Sequence, residues 1–151
     1  MTPEEFEKSI ENVDLVPELE KQMKLCCAKI QSEIKESMDH TPRSDKPYWS
    51  KRSKKYTYPS LPGHPPAPDT EELKGSVNFE VIRVGDKTIM GRIGSIQTSL
   101  PYGAWHELGL ARGGKPRPWL APAVENNEAF LKEHLGKAVK TTLTVNLGKG
   151  K

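Results

Sequence analysis

SVNFEVIRVGDKTIMGRIG, residues 76–94, is the stretch on which the fold class turns. Val77, Phe79 and Val81 alternate with Ser76, Asn78 and Glu80, the two-residue period of a strand with one wet face. Gly85-Asp86-Lys87 supplies a turn, and Thr88 to Gly94 returns with Ile89 and Ile93 on one face. An antiparallel hairpin over 76–84 and 88–94 is expected. Helical patterns flank it on both sides. Upstream, Leu19, Met23, Cys27, Ile30 and Ile34 recur at spacings of three and four behind a start signal at Asp14 and Pro17, which predicts a helix over about 15–38. Lys21, Lys24, Lys29, Glu33 and Lys35 occupy its wet faces, so it packs by one side only. Before it, Thr2-Pro3-Glu4-Glu5 carries an N-cap threonine, a proline at the first helical position and a glutamate three residues after the cap, the signature of a short helix over about 3–12.

Downstream of the hairpin, Tyr102 to Leu108 is a short apolar segment ended by Gly109, and it reads either as a third strand or as a single helical turn. Residues 109–117 form a Gly-rich, basic turn. Pro118 or Pro122 then opens a second main helix over about 120–138, carrying Leu120, Val124, Leu131, Leu135 and Val139. The alternation of Leu143, Val145 and Leu147 suggests a last edge strand before a Gly-Lys tail at 148–151. The expected architecture is α+β: one domain over 1–151, with N-terminal helices in 1–38 and a sheet plus C-terminal helix in 70–147. A small antiparallel sheet packs against two main helices.

Residues 39–69 break every period. Seven of the 13 prolines fall here (Pro42, Pro47, Pro59, Pro62, Pro65, Pro66, Pro68), and proline removes backbone donors and holds its predecessor extended. The segment predicts a long Pro-rich extended arm with polyproline character, a length of loop that is uncommon in a compact domain unless functional or disordered. Its charge is concentrated: Arg43, Lys46, Lys51, Arg52, Lys54 and Lys55 stand against Asp45 alone between Arg43 and Tyr58. Tyr48, Trp49, Tyr56 and Tyr58 are interleaved with them.

Composition excludes several classes. The chain has 151 residues and a formal charge of +3, too little to argue nucleic-acid binding from the total alone. No stretch approaches the roughly 20 apolar residues of a membrane span, and MTPEEFEKSI lacks the apolar run of a signal peptide, so synthesis and use in a cytosol are expected. Cys26 and Cys27 are adjacent on a helix, where their side chains diverge by about 100°, and two sulfurs without a second pair make a poor zinc site. They read as small residues at the edge of a core. No metal or cofactor is expected.

Catalysis would need a nucleophile with a base, or a metal constellation. His106-Glu107 is the best candidate, but neighbours on a strand point apart, and no His-x-x-x-His, Walker loop or serine elbow accompanies them. His40, His64 and His134 are isolated, and Gly109 to Gly114 lacks the Lys-Ser/Thr ending of a phosphate loop. The chain does not read as an enzyme.

Two blocks, PSLPGHPPAPDTEELKGSV over 59–77 and YGAWHELGLARGGKPRPWLAPA over 102–123, resemble the tail-component and tail-completion family of long-tailed double-stranded DNA phages. The first is similar to that family's proline-rich run and Asp-Thr-Gly-x-Leu-x-x-Ser turn: Asp69, Thr70, Leu73 and Ser76 match, while Glu71 stands where the family has glycine. If that glycine takes a positive φ, Glu71 must use another turn geometry. The second resembles the family's Tyr-x-x-x-x-Glu-x-Gly segment and Arg-Pro-aromatic-Leu-x-Pro-Ala helix start. Tyr102, Glu107, Gly109, Arg117, Pro118, Trp119, Leu120, Pro122 and Ala123 match. In physical terms, Pro118 and Pro122 set the entry into the last helix, Trp119 and Leu120 supply apolar area, and Ala123 permits close approach of the sheet. Glu107 and Arg117 can pair across the Gly-rich turn, within or between subunits.

The resemblance implies a virion protein, made in a bacterial host's cytoplasm, that forms a homo-oligomeric ring at the head-proximal end of the tail or in the neck. It also implies neighbouring tail and head-connector proteins as partners. Six copies match the tail's symmetry and twelve match the connector; both stay open. The arm is expected to be mobile in a free subunit and to dock on a neighbour through Tyr48, Trp49, Lys51, Arg52, Lys54, Lys55, Tyr56 and Tyr58, the prolines lowering the ordering cost. The rival reading is a nucleic-acid-binding module using 43–58, since aromatics between basic residues grip phosphates and stack bases. DNA passing through such a ring joins the two.

Overall fold

A computed structural model describes residues 2–69, 71–95, 102–110 and 114–148. The elements are α1 Pro3–Glu11, α2 Val16–Asp39, β1 Tyr48–Ser50, β2 Lys55–Thr57, α3 Glu72–Ser76, β3 Val77–Arg83, β4 Ile89–Ser95, α4 Tyr102–Leu108, α5 Ala121–Asn126 and α6 Glu128–Gly148. Helices and two separate two-stranded antiparallel sheets, β1-β2 and β3-β4, make an α+β fold. The second sheet is the hairpin of the alternating stretch, its turn closed by the Val84 N–H donating to the Thr88 carbonyl at 2.7 Å. The first sheet lies inside the segment expected to be an extended arm. The chain divides into two compact units: Met1–Cys27, Glu80–Arg92 and Glu128–Lys151 make the first, and Ala28–Phe79 with Ile93–Asn127 the second.

In the first unit, α1 forms where its capping box dictates: the Glu5 N–H donates to Thr2 Oγ1 at 3.2 Å, and the Thr2 N–H donates to Glu5 Oε2 at 2.7 Å. None of its residues is buried, and Phe6 is 45% exposed. The start of α2 is fixed by Asp14, whose carboxylate accepts the Val16 N–H at 3.1 Å. Met23 and Cys27 lie against β4 so closely that a Cβ at Gly91 would come within 2.9 Å of both sulfurs, so any side chain there would have to displace them. Cys26 and Cys27 are buried, and burial first, with Cys26 beside it second, pushes the Cys27 thiol up. α6 meets α2 where His134 Nδ1 lies 3.3 Å from Gln22 Oε1.

α6 also corrects the reading of its own end. Leu143, Val145 and Leu147 are helical, not an edge strand. Leu131, Leu135, Val139, Leu143 and Leu147 continue a step of four and are all half-buried, whereas Val145 is 48% exposed. The outer two of three alternating apolar residues are four apart and so also continue a helical stripe that began a dozen residues earlier.

The second unit is built on the later half of α2, where Ile30, Ile34 and Met38 are 3% exposed or less, together with Val77 and Trp119. The expected continuous helix over 120–138 is two helices parted at Asn127. The Asn127 amide donates to the Ala123 carbonyl at 2.8 Å and to Glu33, and accepts from Lys29 Nζ at 2.7 Å. A side chain that satisfied on α2 can hold a break that periodicity passes over. Lys29 first and Asn127 second hold the Glu33 carboxyl below its ordinary value.

Candidate interaction surface

The segment 39–69 folds onto its own unit as a hairpin, which corrects the extended arm. β1 and β2 pair as Tyr48 with Thr57, Trp49 with Tyr56 and Ser50 with Lys55. Below them an antiparallel bridge joins Arg43 to Ser60. Proline loses its donor but keeps its acceptor, and the segment uses that: the carbonyls of Pro42, Pro59, Pro65 and Pro116 accept from Leu61, Ser44, Thr41 Oγ1 and Gly63 at 2.7–2.9 Å.

The hairpin's interior is polar. Asp69 accepts from Ser50 Oγ at 2.5 Å, Ser53 Oγ at 2.6 Å and Thr57 Oγ1 at 3.1 Å. Burial pushes the Asp69 carboxyl up, but the hydroxyls of Ser50, Ser53 and Thr57, with the charge of Lys55, outweigh it and leave the group below its ordinary value. Ser50 and Thr57 are buried by this arrangement. Hydroxyl side chains gathered on one carboxylate leave no trace in a hydrophobic pattern. The signal that was present is Tyr48-Trp49-Ser50 and Lys55-Tyr56-Thr57, two short β-formers around a four-residue connection.

Across the strands, residues directly opposite share a face. Trp49 and Tyr56 therefore stand together on the outer face, in an edge-to-face pair with ring centroids 5.3 Å apart, 54% and 68% exposed. Lys51, Arg52, Ser53 and Lys54 make the tip, with Lys54 in the left-handed region at φ 51°. Arg52 is held by Glu72 and lies 4.5 Å from the Tyr102 ring centroid. Lys51, Lys54 and Lys55 form no ion pair among the described residues and are exposed, as are Tyr48 and Tyr58.

The first motif block starts at Asp69. Thr70 lies outside the described residues. Glu71 sits at φ 63°, so it adopts the left-handed geometry itself and needs no other turn, which corrects the expectation drawn from the missing glycine. Leu73 is half-buried, and its carbonyl accepts from Ser76 Oγ at 2.7 Å; Ser76 Oγ in turn lies 2.6 Å from Ser95 Oγ.

The second block assembles one clamp. Tyr102 to Leu108 is helical, and Tyr102 packs edge-on to Trp105 with centroids 5.4 Å apart. Glu107 does not pair with Arg117. Its carboxylate accepts the N–H groups of Trp119 at 2.7 Å, Leu120 at 3.0 Å and Ala121 at 3.0 Å, so it caps α5 from outside. Donors at a helix start outcompete a guanidinium because they converge on one point already fixed by the backbone. Trp119 is 3% exposed and donates Nε1–H to the Gly103 carbonyl at 2.9 Å. Gly109 sits at φ 73° with Pro116 N only 2.8 Å from where a Cβ would be, which requires glycine twice over. Pro118 precedes the capped start, Pro122 lies in the first turn of α5, Leu120 is half-buried, and Ala123 meets Asn127 through its carbonyl.

Arg117 turns the other way: its Nε donates to the Ser60 carbonyl at 3.3 Å and its N–H to the His106 carbonyl at 2.8 Å. A cavity of about 440 Å³ opens between the hairpin and α4, with Met38, Tyr48, Pro59, Leu73, Tyr102 and Arg117 on its wall. Ser60 Oγ and His106 Nδ1 are buried there without a hydrogen-bond partner among the described residues. Burial, then the Arg117 charge, holds the His106 imidazole below its ordinary value. With Glu107 committed to backbone donors, the sequence neighbours His106 and Glu107 do not form an acid-base pair. Among the described residues no group of three or more His, Cys, Asp or Glu side chains is placed to hold a metal ion, and no helix is long and apolar enough to cross a membrane. No protein-family model, no curated protein and no solved structure matches the chain.

Proposed function

We propose that this chain is a structural protein of a tailed bacteriophage particle, assembling into a homo-oligomeric ring that completes the tail or joins it to the head. The observation that carries the reading is the hairpin: a polar-cored element, fixed by Asp69, that holds Trp49 and Tyr56 outward beside a basic tip. Aromatic pairs left 54% and 68% exposed on a rigid support are what a docking surface requires, because the ordering cost is met before the partner arrives. The resemblance of the two sequence blocks supplies the kind of assembly, and the residues matching them form caps, turns and packing. Head-to-tail contacts that close by rotation make a ring from one small chain.

Trp49→Ala combined with Tyr56→Ala tests the proposal. Both side chains are exposed, so the variant melts with the parent. Electron microscopy of the parent shows rings, and the variant stays monomeric at the same concentration. A parent that remains monomeric at every concentration rejects the reading. The same hairpin supports the nucleic-acid alternative, since its basic tip and aromatic face suit single strands. Short DNA bound steeply and released by salt favours that alternative over docking.

A further inference from the structure

α1 and the β1-β2 hairpin carry matching two-part surfaces. On α1, Glu4, Glu7 and Glu11 fall at spacings of three and four and so share one face. Phe6 and Ile10 form the adjoining apolar stripe. None of these five side chains is buried, and the three glutamates form no ion pair among the described residues. On the hairpin, the apolar part is the exposed Trp49-Tyr56 pair and the charged part is Lys51 and Lys54 at the tip, also exposed and without ion pairs among the described residues. Each surface thus sets one apolar patch beside one charged patch, with opposite signs.

We infer that α1 of one copy docks on the β1-β2 hairpin of a second copy, Phe6 and Ile10 against Trp49 and Tyr56, and the glutamate face against Lys51 and Lys54. The inference rests on the proposed ring, whose head-to-tail contact it identifies. A helix on a hairpin makes two different patches meet, the heterologous kind of contact that closes into rings. One nine-residue helix covers a small area, so a single contact is weak and salt-sensitive. Closure strengthens the whole, because each further contact forms within an assembly already held together.

Charge reversal in the full chain tests the pairing. Lys51→Glu with Lys54→Glu reverses the hairpin. Glu7→Lys with Glu11→Lys reverses the helix while placing cations toward its C-terminal end, where they favour it. Each double variant melts with the parent and associates about ten-fold more weakly, or worse, by sedimentation. An equimolar mixture of the two assembles again, and so does one chain bearing all four changes. Reversals that leave ring formation intact overturn the docking and spare the ring. Weakening that neither the mixture nor the fourfold variant restores overturns it as well, and a parent that never associates rejects ring and docking together. If hairpin reversal abolishes only binding to short DNA, the hairpin's partner is nucleic acid and the inference is wrong.

Discussion

Two parts of the second unit reach burial by opposite means. The later half of α2 buries Ile30, Ile34 and Met38, side chains that leave water because they are apolar. The hairpin buries Ser50 and Thr57, polar side chains that leave water around one carboxylate. The helix is held by area, the hairpin by satisfied donors. An apolar region loses stability in proportion to what is cut away, whereas a polar one fails when its acceptor is lost and the donors remain.

The largest expected effect tests the apolar side. Trp119→Ala removes a buried aromatic and its bond to Gly103, and thermal or denaturant unfolding should show a loss of about 3–5 kcal/mol. A variant that melts like the parent but fails to assemble would move Trp119 from the core to an interface. Next comes the polar side: Asp69→Ala leaves three hydroxyls without their acceptor and should cost about 2–3 kcal/mol. Near-ultraviolet circular dichroism should show the Trp49 and Tyr56 signal lost before the helices melt. If the hairpin instead stays folded, the strand pairing alone holds it and the contrast with α2 disappears.

Acidification sharpens the same contrast. Asp69 has a lowered pKa in the fold, so the stability it contributes is present above its unfolded value and is lost as pH falls through the folded one, from about pH 4 downward. His106, also lowered, contributes a separate loss that starts below about pH 6.5, because the unfolded chain takes up the proton first. Asp69→Asn should shrink the lower step, to which the lowered Glu33 also contributes, and leave the upper. The smallest effect belongs to Glu71. A non-glycine residue at φ 63° carries a backbone cost that glycine removes, so Glu71→Gly should raise stability by up to about 1 kcal/mol, less what its exposed pairing with Lys74 contributed. A fall in stability would show that Glu71 is held there by something other than the backbone.

This contrast also explains what could be read from the amino acids alone. The stripe of α2, the capping box of α1 and the alternation of β3 and β4 are local patterns of apolar and capping residues, and each appears within a residue or two of its expected place. The hairpin of 48–57 was hidden because prolines suggested extension, and the group that organises it, Asp69, lies 12 residues beyond the strand it holds. Glu107 shows the same difficulty: its side chain serves N–H groups 12–14 residues onward, and nothing in the spacing says whether a carboxylate there will choose Arg117 or a helix start. The motif positions were legible as positions; their roles as caps and turns needed the backbone.

The division of the chain has a consequence for synthesis. The second unit is complete in sequence once Asn127 has been added, but the first still lacks α6, although α1 and the start of α2 were made at the outset. A ribosome making this protein therefore releases the middle of the chain in a state ready to fold, while its earliest helices wait for the last. α6, which meets α2 at His134 and Gln22, is what they wait for, and until it emerges the first unit is held only by its earlier pieces, Met23 and Cys27 against Gly91 of β4 among them.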